Sequence, residues 1–139
     1  MLTVAILAVL AAIAVPSYSQ YLERTKVYKA ATDIATLSGQ ISNYALDNHG
    51  YPSSLDDIGQ GPMKDPWGNP YQYLSHDPKA HSPPGKWRKD HNIVPINSDF
   101  DLYSMGADGK TTAPLTEKAS QDDVVRANNG SYYGLGSNY

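Results

Sequence analysis

The chain of 139 residues contains no cysteine and only one phenylalanine, Phe100. The missing cysteines exclude disulfides and thiolate metal sites. Positive charge is also scarce: 11 Lys and Arg stand against 14 Asp and Glu, a net charge of −3. Without a strong basic field, nucleic acid is not expected as a dominant partner. There is no Gly-x-Ser-x-Gly, no His-Glu-x-x-His and no P-loop, and no acid–base constellation stands out. The sequence therefore reads as non-enzymatic. The four histidines (His49, His76, His81 and His91) share neither a helix face nor a ligand spacing, which favours surface histidines over a zinc site. The first fifteen residues, MLTVAILAVLAAIAV, lack charge altogether.

That apolar run leads into a polar helical pattern with no change of register. Val27, Ala30, Ala31, Ile34, Leu37, Ile41, Tyr44 and Ala45 continue an apolar stripe at helical spacing. One long helix is expected, apolar all round at its start and amphipathic afterwards. Residues 2–15 would span about 21 Å at about 1.5 Å per residue, short of the roughly 30 Å of a bilayer core. We read the run as the remainder of a longer apolar helix, since about six more apolar residues bring it to spanning length. A cleaved signal, with Ala12-Ile13-Ala14 as its processing site, or a buried core helix is the alternative. Pro16 either kinks the helix or starts a second one as its first residue. The helix is expected to end near Asp47–Gly50, with Gly50 as the left-handed cap and Pro52 blocking continuation.

Beyond Gly50 the chain is rich in turns. Residues 51–58 read as a loop and a short helical turn capped by Ser53 or Ser54, and 64–70 (KDPWGNP) as a dense set of turn formers. Tyr71–Leu74 and Asp99–Met105 alternate as half-buried strands do. Residues 75–98, with Pro78, Pro83 and Pro84, read as a surface excursion, and Lys86-Trp87-Arg88-Lys89 within it as a solvated basic cluster. Trp67 is expected to pack its turn against the long helix. Residues 110–126 are polar, and the tail from Asn128 has no helical period and reads as loose.

Three passages carry a resemblance. LAVLAAIAVPSYSQYLERTKV resembles the N-terminal helix of type IV pilins and pseudopilins, and DNHGYPSSLDDI resembles the passage that follows it. KDPWGNPYQYL with FDLYSMGADG is the specific match, to the G-type major pseudopilins of type II secretion systems. The resemblance covers most of 2–74 and 99–110, and neither 75–98 nor the tail.

It implies an α+β, pilin-like fold: a long N-terminal helix packed on a small antiparallel sheet with large loops. Residues 1–19 would form a membrane and filament-core segment, and 20–139 the globular body. It implies a subunit held in the inner membrane and then assembled into a periplasmic helical filament, through an ATP-driven platform and with other pseudopilins, in a Gram-negative-type envelope. The implied contact residues are Leu2, Val4, Ile6, Leu7, Val9, Leu10, Ile13, Val15 and Pro16. The family's N-terminal phenylalanine, methylated on processing, and the glutamate near it have no counterpart here. The resemblance also implies calcium, held by Asp108, the carbonyl of Met105, and Asp122 or Asp123. Calcium takes about six to eight oxygens from carboxylates and carbonyls. The gap from Asp108 to Asp122 is longer than usual in the family and contains Pro114; the other reading is a turn residue and a solvated acidic pair. The alternatives in function are a surface type IV pilin for adhesion, motility or DNA uptake, and a monomeric calcium-dependent binding module behind a signal helix.

Overall fold

The computed structural model describes residues 2–78 and 84–139. Lys79, Ala80, His81, Ser82 and Pro83 of the excursion lie outside the described residues. The chain opens with helix α1, Leu2–Asn48, which runs unbroken through Pro16. Proline therefore starts no second helix here. It removes one backbone donor, and nearby hydroxyls bond to carbonyls of the adjoining turns: Ser17 Oγ to Ile13 at 3.0 Å and Ser19 Oγ to Pro16 at 2.9 Å. Continuity through Pro16 also extends the apolar stretch. α1 holds an 18-residue window of mean hydropathy 1.6, long and apolar enough to cross a membrane by length and composition. At its other end the left-handed residue is His49, with φ of +54°, in place of the expected Gly50.

Four short strands follow: β1 (Gln72–Ser75), β2 (Phe100–Ser104), β3 (Val124–Ala127) and β4 (Tyr132–Leu135). They form one antiparallel sheet in the order β1-β2-β3-β4. Registers are set by Tyr73↔Leu102, Tyr103↔Val125 and Val125↔Gly134. The fold is thus the α+β arrangement that the resemblance implied. The tail is a correction: it contributes an edge strand, because β3 gives it a complete ladder to pair with.

The second half of α1 lies on this sheet. Ala30, Ile34, Leu37 and Ile41, spaced four, three and four apart, are fully buried against Phe100, Leu102 and Val124, with Leu55 and Tyr71 closing the cluster. The opposite face of the sheet is covered as well, by Ile96 and Leu115 packed on Val125 and Ala127. The excursion therefore belongs partly to the core. Its Ile96, Asn97 and Arg88 are buried, correcting the reading of a solvated basic cluster.

The turn formers at 64–70 are fixed by one carboxylate. Asp65 Oδ1 accepts from the Trp67 and Asn69 amides at 3.0 and 2.9 Å, and its Oδ2 accepts from Ser104 Oγ at 2.5 Å. Asn69 Nδ2 donates to the Gly106 carbonyl at 3.0 Å. The two passages that carry the specific resemblance are thus in contact across the fold. Trp67 does pack its turn toward α1, its indole N–H donating to Glu23 Oε2 at 2.9 Å. Tyr71 donates from its hydroxyl to Asp33 Oδ2 at 3.0 Å, a second tie to α1, and burial followed by that carboxylate pushes its pKa well above the usual phenol range.

Candidate functional site

Two regions hold the residues singled out in the sequence. The first is the start of α1. Val4, Ile6, Leu7, Val9, Leu10, Ile13 and Val15 are all exposed, from 52% at Ile6 to 68% at Val4 and Val15. The side chain of Leu2 lies outside the described residues, and Pro16 is exposed on the same segment. Among the described residues, none of these side chains joins the body's buried clusters. Seven large aliphatic side chains on about three turns of helix form a patch that a stable water-soluble monomer rarely presents. Aromatic side chains extend it: Tyr18, Tyr21 and Tyr28 are also exposed. Where α1 meets the body, Val27, Tyr28 and Ala31 face Tyr133 and Leu135 of β4 across an open cavity of about 530 Å³.

The second region is the loop between β2 and β3. Gly106 turns it with φ of +63°, and a Cβ there would lie 2.6 Å from Asp122 Oδ2 and closer still to the Asp122 carbonyl oxygen. Glycine is required by both the backbone conformation and the contact. Asp122 Oδ2 accepts the Asp108 amide at 3.0 Å, and Asp108 Oδ1 accepts the Lys110 amide at 2.7 Å. The structure therefore brings Asp108 and Asp122 together, beside Met105.

Asp123 faces the other way. It is fully buried, and its Oδ2 accepts from Arg88 Nη2 at 2.5 Å and from Thr111 Oγ1 at 2.6 Å. Burial pushes its carboxyl above the usual range, while the Arg88 charge and the Thr111 hydroxyl act against that push. The reading of a solvated acidic pair fails for Asp123.

As placed, this set does not fit calcium. The two carboxylates that meet each hold a backbone amide, and the third is turned inward and shares its space with a guanidinium. Asp123 Oδ1 is the single buried oxygen of the set without a partner, and a divalent ion there would sit beside the positive charge of Arg88. Among the described residues, no three His, Cys, Asp or Glu side chains gather into one cluster. The histidines lie apart: His76 Nε2 meets Asp101 Oδ2 at 3.0 Å, His91 meets Asp90, and His81 is outside the described residues.

Comparison with known proteins gives a consistent set of relatives. The chain is 34% identical over 131 aligned positions to the type II secretion system core protein G of Pseudomonas aeruginosa, covering 79% of this chain and 80% of that one. It is 30% identical to the protein of the same name from Aeromonas hydrophila, covering 89% and 84%, and 29% identical to that of Escherichia coli, covering 90% and 83%. No family model matches the chain. No solved structure matches it either.

Proposed function

The chain belongs to the family of the type II secretion system core protein G, and from that premise we propose that it is a structural subunit of a type II secretion pseudopilus, a helical filament that helps push folded proteins across the outer membrane. The observation that carries this reading is the exposed apolar start of α1. In the inner membrane the segment is covered by lipid. On extraction, its apolar surface must be covered again. Copies of the same helix supply that cover, each burying its side chains against the next. A head-to-tail contact of this kind does not close on itself and so propagates as a fibre. The partners are further copies of this chain, the companion pseudopilins and the inner-membrane assembly platform. The subunit pool is membrane-bound and the assembled filament periplasmic. In this role the chain acts by assembly, without catalysis. The names of the relatives favour the secretion filament over a surface pilin.

The test is a charge in the stripe. Leu10→Asp places a carboxylate on a surface that must be dry in either lipid or filament, at a cost of about 2.5–3.5 kcal/mol per subunit for a membrane-centred position. Because Leu10 does not touch the body, the fold of the body is expected to be unchanged by circular dichroism. Filaments seen by electron microscopy of cells overproducing wild-type protein should be lost in the variant. Normal filaments from correctly folded Leu10→Asp protein would refute the proposal.

A further inference from the structure

We propose that the guanidinium of Arg88 is the resident cation of the loop between β2 and β3, and that this chain completes its fold without a divalent metal. The inference stands apart from the filament reading; either can fail alone.

Four observations carry it. First, the guanidinium reaches into this loop from outside it. Nη1 donates to Thr111 Oγ1 at 2.5 Å and to the Thr112 carbonyl at 2.7 Å, while Nη2 donates to Asp123 Oδ2 at 2.5 Å. A carboxylate, a hydroxyl and a backbone carbonyl are the oxygen types that a hard metal ion would gather from a loop. Here one fixed, planar cation gathers them. Second, the side chain is fully enclosed, 2% exposed, and its charge lies 4.3 Å from the centre of the Tyr103 ring. A cation buried this deeply is held in place by its anion, Asp123.

Third, the backbone around Arg88 is built to deliver it. Its amide donates to Asp101 Oδ2 at 2.7 Å, and its carbonyl accepts from Ile96 at 3.0 Å. The next residue, Lys89, exchanges backbone hydrogen bonds with Ala113 and Leu115 at 3.0 and 2.9 Å. The excursion and the loop are thereby laced together on both sides of the guanidinium. Fourth, the buried acid of the loop is already committed to this cation: Asp123 holds Arg88 and stands turned away from the contact between Asp108 and Asp122. The excursion, which has no counterpart in the resemblance, thus supplies the positive charge.

The experiment uses the full chain in detergent. Thermal unfolding is followed by near-ultraviolet circular dichroism, which reports on Trp87 and Tyr103 beside the site, in calcium and in chelator. The wild type is expected to unfold at one midpoint in both. A midpoint raised by calcium would overturn the proposal. Limited trypsin digestion then reads the loop directly, since Lys110 and Lys118 are exposed on it. In Arg88→Met, cleavage after these two lysines should be faster by about tenfold or more as the loop opens locally. Cleavage at the wild-type rate would overturn the proposal as well. Should Arg88→Met fail to fold, Thr111→Val removes one anchor of the guanidinium and leaves the ion pair. It should raise the same two cleavage rates by a smaller factor, and an unchanged rate would count equally against the assignment.

Discussion

Arg126 of β3 is where the sheet is tied to α1, and removing it should be among the most damaging single changes in the body. Its guanidinium is 3% exposed. Nη1 and Nη2 donate to Asp99 Oδ1 and Oδ2 at 2.8 and 2.7 Å, a bidentate fork, and Nη1 also reaches the Phe100 carbonyl at 3.1 Å. Nε donates to Ser38 Oγ on α1 at 2.9 Å, and the group lies 4.0 Å from the centre of the Phe100 ring. Truncation by Arg126→Ala leaves Asp99 without its counter-charge and Ser38 without its donor. Breaking a buried pair from one side costs about 3–5 kcal/mol, which for a chain of this size is about 10–20 °C in unfolding midpoint. Lysine should not rescue the change, because an ammonium cannot make the fork and reach Ser38 together.

The same pair sets a pH dependence. Burial works to raise the Asp99 carboxyl, but the hydrogen bonds from Arg126 and from the Phe100 amide outweigh it and hold the group below its ordinary value. A carboxyl depressed in the folded state contributes stability above its unfolded pKa of about 3.9, and that contribution is lost as pH falls through the folded value. Unfolding midpoints measured from neutral pH down past pH 4 should therefore converge for wild type and Asp99→Asn at the acid end. The decisive assay is a double-mutant cycle. Arg126→Met with Asp99→Asn should be less destabilised than the sum of the single changes, by about 1 kcal/mol or more. Simple additivity would refute the argument that each charge is held by the other.

Gly106→Ala should unfold at a clearly lower temperature than wild type, since the added methyl meets the Asp122 backbone and the residue must keep a left-handed φ; a loss of about 1–3 kcal/mol is expected by thermal unfolding. Leu37→Ala, at the centre of the packed face of α1, should cost about 2–5 kcal/mol in denaturant unfolding, whereas Leu7→Ala should leave the body's stability unchanged because Leu7 touches none of it.

The long helix was legible because its pattern is local: an apolar run and then a stripe at a period that needs no partner to be seen. β1 and β2 were legible for the same reason, through their alternation. β3 was not. Val124, Val125, Arg126 and Ala127 are all buried, since one face meets α1 and the other meets Ile96 and Leu115, so no alternation marks the strand. β4 has two tyrosines, but Gly134 interrupts its short pattern, and the segment pairs along its length with β3. Arg88 was misread because its cluster, Lys-Trp-Arg-Lys, has the composition of a solvated loop. Its partner Asp123 lies 35 residues away, a distance that no local pattern spans. The apolar residues at the start of α1 stand out by composition alone, and the structure adds that Val4 to Val15 stay exposed among the described residues.

The most direct measurement of the assembly account exploits the missing cysteines, since the thiols in any variant of this chain are those deliberately introduced. Pairs such as Ile6→Cys with Ile13→Cys would be oxidised in cells overproducing the subunit, with Thr36→Cys on the exposed side of the body helix as the comparison. If copies of α1 pack against one another along a filament, some pairs among Val4, Ile6, Leu7, Val9, Leu10, Ile13 and Val15 should yield ladders of covalent multimers, and Thr36→Cys alone should yield none. Monomers throughout that set, from protein that still forms filaments, would contradict the claim that this helix builds the core.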